Sequence, residues 1–267
     1  MKLSTLLNKH FARLVWNPLP GAFQREISHL LSPLYQSSFS RYFIKSFCGR
    51  YRLASGELDR YLPASLNADY QSFQDFFTRR LAVPLKVDSD AAWPCQGYVC
   101  DYGRVGDLAP VEVKGQVLPI RYIFNRDETA IPDDYFFTNI FMHNHNYHRF
   151  HAPINGRVKK IEHLPGQLVF LRPWLYRRSR VSEPSFRNER VVIEIECERT
   201  GKPWFISFVG GMGVGKIRLA DSVEIGSRVE VGQEIGLFLL GSTCCMAIPN
   251  VIGGLEYLQQ VDVGHSL

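Results

Sequence analysis

The first stretch of the chain spaces its apolar residues like a helix. Leu3, Leu6, Leu7, Phe11, Leu14 and Val15 recur every three or four positions, while Lys2, Lys9 and Arg13 fall off that stripe. This spacing predicts an amphipathic helix. Pro18 and the Pro20-Gly21 pair end it, because proline lacks the N–H that a helix interior needs. Further helical stretches are predicted through FQREISHLL, RYFIKSFCGRY and SFQDFFTRRL, the last ahead of a linker from Pro84 to Pro94.

From Trp93 onward the pattern changes to short apolar runs broken by Gly and Pro: GYVCDYG, PVEVKG, FFTNIFM, GRVKKIEHLPGQLVFL, RVVIEIECE and PWFISFVGG. The alternation Val191-Val192-Ile193-Glu194-Ile195-Glu196 predicts strands. In GSRVEVGQEIGLF, glycines at 226, 232 and 236 resemble the turn-strand-turn-strand of a lipoyl-type β-sandwich. The predicted fold class is α+β. A helical, membrane-associating N-terminal region over 1–92 packs on a β-rich catalytic body over 93–267 that carries the lipoyl-like element.

At 267 residues and 45% hydrophobic, the chain can bury a sizeable core. A formal charge of +5 permits an acidic partner without demanding one. Its distribution is more telling. Over residues 1–60 only Glu26, Glu57 and Asp59 oppose nine basic residues, and a second basic cluster runs from Arg172 to Arg190. Two readings of the helices stand together: apolar sides packed on the body, or a basic amphipathic face on anionic lipid, where each basic residue adds about 1 kcal/mol. No apolar stretch approaches the ~18 residues that span a bilayer, and MKLSTLL meets Asn8, Lys9 and His10 too soon for a signal peptide. The six cysteines form no CxxC pair, which favours a reducing compartment.

HNHNYHRFHAP holds His143, His145, His148 and His151 within nine positions. If FMHNHNYHRF continues as one strand, alternation splits these histidines between faces, against a metal site. A general base or a substrate-orienting histidine is the better expectation, since imidazole titrates near neutral pH. FVGGMGVGKI has the spacing of a phosphate-binding loop but carries Ile217 where Ser or Thr is required. Cys244 and Cys245 lack any local feature that would lower a thiol pKa, so core packing is expected of them.

Six segments in order resemble the phosphatidylserine decarboxylase family: FFTRRL at 76–81, YHRFHAP at 147–153, LPGQL at 164–168, RNERV at 187–191, VGKI at 214–217 and the hallmark Leu240-Gly241-Ser242-Thr243. The resemblance implies a self-processing proenzyme. The Ser242 hydroxyl attacks the Gly241 carbonyl, the acyl group shifts from nitrogen to oxygen, and elimination and hydrolysis follow. A β chain then ends at Gly241, and an α chain begins with a covalent pyruvoyl group made from Ser242. That group acts as the electron sink for decarboxylating phosphatidylserine to phosphatidylethanolamine. The attack needs a base and a stabilised oxyanion. The resemblance makes His151 the base and puts His148 near the substrate carboxylate or phosphate. It further implies a peripheral enzyme on the cytoplasmic face of the cell membrane, with anionic lipid as partner, its own two chains held together, no metal and no nucleic acid. A homodimer is compatible with it.

One position departs from the family pattern. Where relatives carry the Asp of a Pro-x-Asp-Gly segment, completing an Asp-His-Ser triad, this chain has Pro94-Cys95-Gln96-Gly97. Gln96 can accept a hydrogen bond from an imidazole but supplies no charge; in serine proteases the comparable change lowers kcat by about 10⁴. Asp101 is a candidate substitute. A pyruvoyl decarboxylase of another amino acid or amino-lipid, and an uncleaved lipid-binding pseudoenzyme, stand as alternatives.

Overall fold

The computed structural model describes residues 10–212, 217–239 and 241–267. Leu3, Leu6 and Leu7 of the first stripe, residues 214–216 of the VGKI match and Leu240 lie outside the described residues. A π-helical turn, Phe11–Trp16, leads into α1 (Gly21–Gln36). Helix α2 (Tyr42–Tyr51) stops at Arg52, which adopts the left-handed conformation. Helix α3 (Phe73–Phe77) starts where the Ser72 hydroxyl accepts the Asp75 N–H at 3.1 Å, an N-cap that satisfies an orphan donor.

The helical region turns one apolar flank of α1 outward and buries polar residues instead. Gln24 and Ser28 are buried, whereas Phe23, Leu30 and Leu34 are exposed, Leu30 by 78%. Gln24 bridges the Trp16 carbonyl and the Leu168 N–H, and Ser28 returns a bond to the Gln24 carbonyl. Of the first stripe, Phe11, Leu14 and Val15 also face outward; Ala12 and Trp16 are the buried residues. Helix α3 is different: Phe73, Phe76 and Phe77 are buried against Tyr35, Phe47 and Leu53.

The strands follow in chain order. The first two, β1 (Tyr61–Leu62) and β2 (Arg80–Leu81), pair with each other. Then come β3 (Gly97–Arg104), the hairpin β4 (Val111–Val113) and β5 (Gln116–Leu118), β6 (Phe136–Met142), β7 (Arg149–His151) and β8 (Gly156–Leu164). The rest are β9 (Arg190–Cys197), β10 (Pro203–Gly210), β11 (Ile217–Leu219), β12 (Arg228–Val229), β13 (Glu234–Phe238), β14 (Ser242–Ile248) and β15 (Gln260–Val261). An eight-stranded antiparallel sheet has the order β12-β8-β9-β10-β14-β6-β3-β15, and a three-stranded sheet the order β11-β13-β7.

The chain is thus α+β, with the expected β-rich body. Strand β14 lies inside the large sheet and is buried along its whole length. Its residues alternate between two cores, as a pleated strand requires. Cys244 and Met246 join Val99, Ile140 and Phe208; Cys245 and Ala247 join Phe124, Phe137 and Phe205. Burial pushes the Cys245 thiol up to about 12 and raises that of Cys244, as the packing reading anticipates.

The stretch FMHNHNYHRF is not one strand. Strand β6 ends at Met142 because the Asn146 side chain accepts the His143 N–H at 2.7 Å while the Asn146 N–H bonds the His143 carbonyl at 2.8 Å. That local turn outcompetes the sheet ladder, and pairing resumes only at Arg149.

Candidate active site

Ser242 is the first residue of β14, fully buried, and paired with Gly210 on one side and Met142 on the other. Gly241 before it has φ +53°, with the Met212 carbonyl 3.2 Å from where a Cβ would stand; glycine holds this left-handed turn at least cost. The Gly241 carbonyl oxygen accepts the Gly211 N–H at 3.0 Å. A backbone donor already sits on the oxygen that becomes an oxyanion if that carbonyl is attacked. Gly211 has its own constraint, since a Cβ there would stand 2.7 Å from Leu171.

The imidazole beside Ser242 belongs to His148. Its Nδ1 lies 3.1 Å from the Ser242 Oγ, and its Nε2 lies 3.1 Å from the His143 carbonyl. A carbonyl only accepts, so Nε2 carries the proton and Nδ1 is free to receive one. Burial, with help from the nearby Arg79 charge, holds His148 well below the usual histidine range and keeps it neutral. The hydroxyl also approaches the Met142 sulfur at 3.3 Å, a weaker acceptor.

The FFTRRL segment builds the wall behind this histidine. Phe77 stacks on the His148 ring at 4.0 Å, and Arg79 donates to the carbonyls of His145 and Asn146. One turn earlier, Gln74 donates to the Leu239 carbonyl at 2.8 Å, fixing the chain ahead of Gly241. The FFTRRL letters alone assign no role to these side chains, and nothing in the sequence marks Gly211, whose contribution is a backbone N–H.

His151 and Gln96 lie elsewhere. His151 donates from Nδ1 to the Gly232 carbonyl at 2.7 Å and accepts the Tyr147 hydroxyl at Nε2, 3.1 Å away. Gln96 accepts the Tyr147 N–H at 2.8 Å and donates to Asp262 at 3.1 Å. Neither bonds to Ser242 among the described residues. The pleat explains the parting: His148 and His151 are an odd number of residues apart, so along extended chain their rings point to opposite sides, and β7 carries His151 toward β13. Asp101 accepts from Ser182 at 2.8 Å, and Ser182 and Asn139 relay that contact to Thr243. It therefore anchors the residue after Ser242 and bonds to no imidazole among the described residues; burial raises its pKa.

Arg149, central to YHRFHAP, is buried, donates to the Thr78 and Arg79 carbonyls and pairs with Glu234. It ties the FFTRRL segment to β13. His143 and His145 stand 4.5 Å apart, and burial pushes His143 down to about 4.

A cavity of about 190 Å³ opens over Ser242. Trp16, Leu31 and Tyr35 wall it from the helical side, facing Arg172 and Met212. The helix that lines the cavity with Leu31 is the one that turns Leu30 and Leu34 outward.

Comparison with known proteins points the same way. The family model described as phosphatidylserine decarboxylase matches residues 73–267. Similar chains include the phosphatidylserine decarboxylase proenzyme of Verminephrobacter eiseniae, 31% identical over 72% of this chain and 73% of that one. That of Mannheimia succiniciproducens is 27% identical over 90% and 87%. That of Psychrobacter cryohalolentis is 30% identical over 85% and 86%. The chain belongs to the phosphatidylserine decarboxylase family.

Proposed function

We propose that this member of the family is a proenzyme that cuts itself between Gly241 and Ser242, gains a pyruvoyl group at residue 242, and with it decarboxylates phosphatidylserine to phosphatidylethanolamine at a membrane surface. One observation carries the reading: a buried serine hydroxyl has a neutral imidazole nitrogen 3.1 Å away, beside a glycine carbonyl that already accepts a backbone N–H.

The chemistry follows from those atoms. His148 Nδ1 takes the Ser242 hydroxyl proton as Oγ bonds to the Gly241 carbonyl carbon. The Gly211 N–H holds the oxyanion, His148 returns the proton to the Ser242 nitrogen as the C–N bond breaks, and an ester joins Gly241 to the Ser242 side chain. Loss of the Ser242 α-proton then expels Gly241 as a carboxylate and leaves a dehydroalanine. Water converts this to a pyruvoyl group with release of ammonia. The arrangement fits that group: residue 242 borders the cavity, and Gly241 with φ +53° can leave without disturbing β14. Once formed, the pyruvoyl carbonyl supplies an electron sink for loss of carbon dioxide from an amine-bearing carboxylate. Around it, Arg172 offers a cation to an anionic headgroup, and buried Trp16, Phe141 and Met142 keep part of the wall apolar.

His151 and Gln96 support the site from the far side of the turn. One grips the Tyr147 hydroxyl and the other its backbone N–H, and Tyr147 directly precedes His148. The outward leucines and phenylalanines of the helical region, on the same elements that wall the cavity, suit a lipid surface. No helix among the described residues is long and apolar enough to cross a membrane. A peripheral site on the anionic cytoplasmic face fits the basic N-terminal third.

Denaturing intact-mass analysis of freshly purified protein tests the reading. Two species, one ending at Gly241 and one beginning with a pyruvoyl residue, are expected. A single full-length species would refute self-cleavage and leave a lipid-binding pseudoenzyme. Cleaved protein that releases no ethanolamine lipid from phosphatidylserine liposomes would refute the substrate.

A further inference from the structure

We infer that Asp262 is a positioning residue for self-cleavage: its carboxylate sets the orientation of the Gln96 amide, and through it the Tyr147 backbone that presents His148 to Ser242. This rests on the function proposed above.

Two partners of opposite character dictate the Gln96 amide. The Tyr147 N–H can only donate, and the Asp262 side-chain oxygens accept from Gln96 and from the Val263 N–H. With Oε1 2.8 Å from the first and Nε2 3.1 Å from the second, both bonds form; a flipped amide would lose both and set like atoms face to face. Asp262 is itself held. Its Oδ1 accepts the Val263 N–H at 3.0 Å, and its Oδ2 lies 3.6 Å from Arg60. The ionisable groups facing it are Arg60 and Tyr61, the latter stacked on Tyr147 at 5.7 Å. The surrounding segment is fastened to the stretch that carries Gln96. Gln260 pairs with Tyr98 and Val261 with Gly97; the Trp93 N–H bonds the His265 carbonyl, and the Gly264 N–H bonds the Trp93 carbonyl.

The family carboxylate absent at position 96 is thus present one link away. It acts through the Gln96 amide on the backbone N–H of Tyr147, the residue before His148. After cleavage Asp262 and Gln96 belong to different chains, so their bond also spans the cut.

A charge-and-amide exchange tests this on the full-length chain, with self-cleavage followed from the moment of cell-free synthesis. Gln96→Glu sets two carboxylates against each other and should slow cleavage by about tenfold, equal to about 1.4 kcal/mol in the barrier. Asp262→Ala should slow cleavage too, whereas Asp262→Asn, still able to accept, should be close to native. The double variant Gln96→Glu with Asp262→Asn should recover the rate, because the new amide donates to the new carboxylate. A double variant no faster than Gln96→Glu, or Asp262→Ala cutting at the native rate, would overturn the inference. If the native chain does not cut, the proposed function fails instead. The contact is then judged in a Ser242→Ala background, where thermal midpoints must show the same loss and recovery, and their failure to do so overturns it.

Discussion

Replacing His148 with alanine removes the imidazole 3.1 Å from the Ser242 hydroxyl and leaves His151 where it is, bonded to Gly232 and Tyr147. A positioned general base contributes about 10²–10⁴ in rate, or about 3–5 kcal/mol of barrier. The same change opens a void against Phe77, on which the ring stacks at 4.0 Å, and such truncations cost about 2–4 kcal/mol of stability. A domain stable by 5–15 kcal/mol remains mostly folded after that loss, so circular dichroism should separate the two effects. His148→Asn is the volume-sparing companion; it should keep more stability yet cleave as slowly. The assay is a time course of full-length chain against its two products after cell-free synthesis. Burial keeps His148 neutral, so the native rate should persist as pH falls through 6.5, where an exposed imidazole would protonate and cease to act as a base. If His148→Ala cuts like the native chain while His151→Ala stalls, the base is His151 and the derivation from hydrogen-bond geometry is refuted.

Arg149→Ala should destabilise the fold by about 3 kcal/mol, since it strands two buried carbonyls and the Glu234 carboxylate; a chemical-denaturation midpoint equal to native would contradict this. Stability should fall as pH drops from 6.5 toward 4. Burial lowers His143 to about 4 and also lowers His145, His148 and His151, so over that window the unfolded chain binds more protons than the folded one. Thermal midpoints across the range, flattened by His143→Gln, check it. Leu30→Ser with Leu34→Ser should weaken cosedimentation with phosphatidylserine liposomes at least tenfold, because each inserted leucine contributes about 1.5–3 kcal/mol; undiminished binding would refute the lipid-facing role of α1.

Much of this protein was legible in one dimension. Helical spacing near the N-terminus and period-two alternation after Trp93 follow from local backbone geometry, and they locate α1 and strands β3, β6, β9 and β10, while the run from Gly156 to Leu171 is strand only to Leu164, in β8. The order of the short motifs places Ser242 behind a glycine in the left-handed turn that glycine favours. Periodicity names an apolar face but does not say what covers it, so the outward leucines of α1 and its buried Gln24 needed the tertiary packing. The histidines show the same limit. His148 and His151 are near-equivalent as letters, and the choice between them at Ser242 is made by a side-chain turn at Asn146 and by the pairing of β7 with β13. Gly211, Gln74 and Asp262 come from segments far apart in the chain, and two of the three act through or upon backbone atoms that any residue carries. Such contacts leave no mark on composition or spacing, because only the folded sheet brings those segments within hydrogen-bond reach.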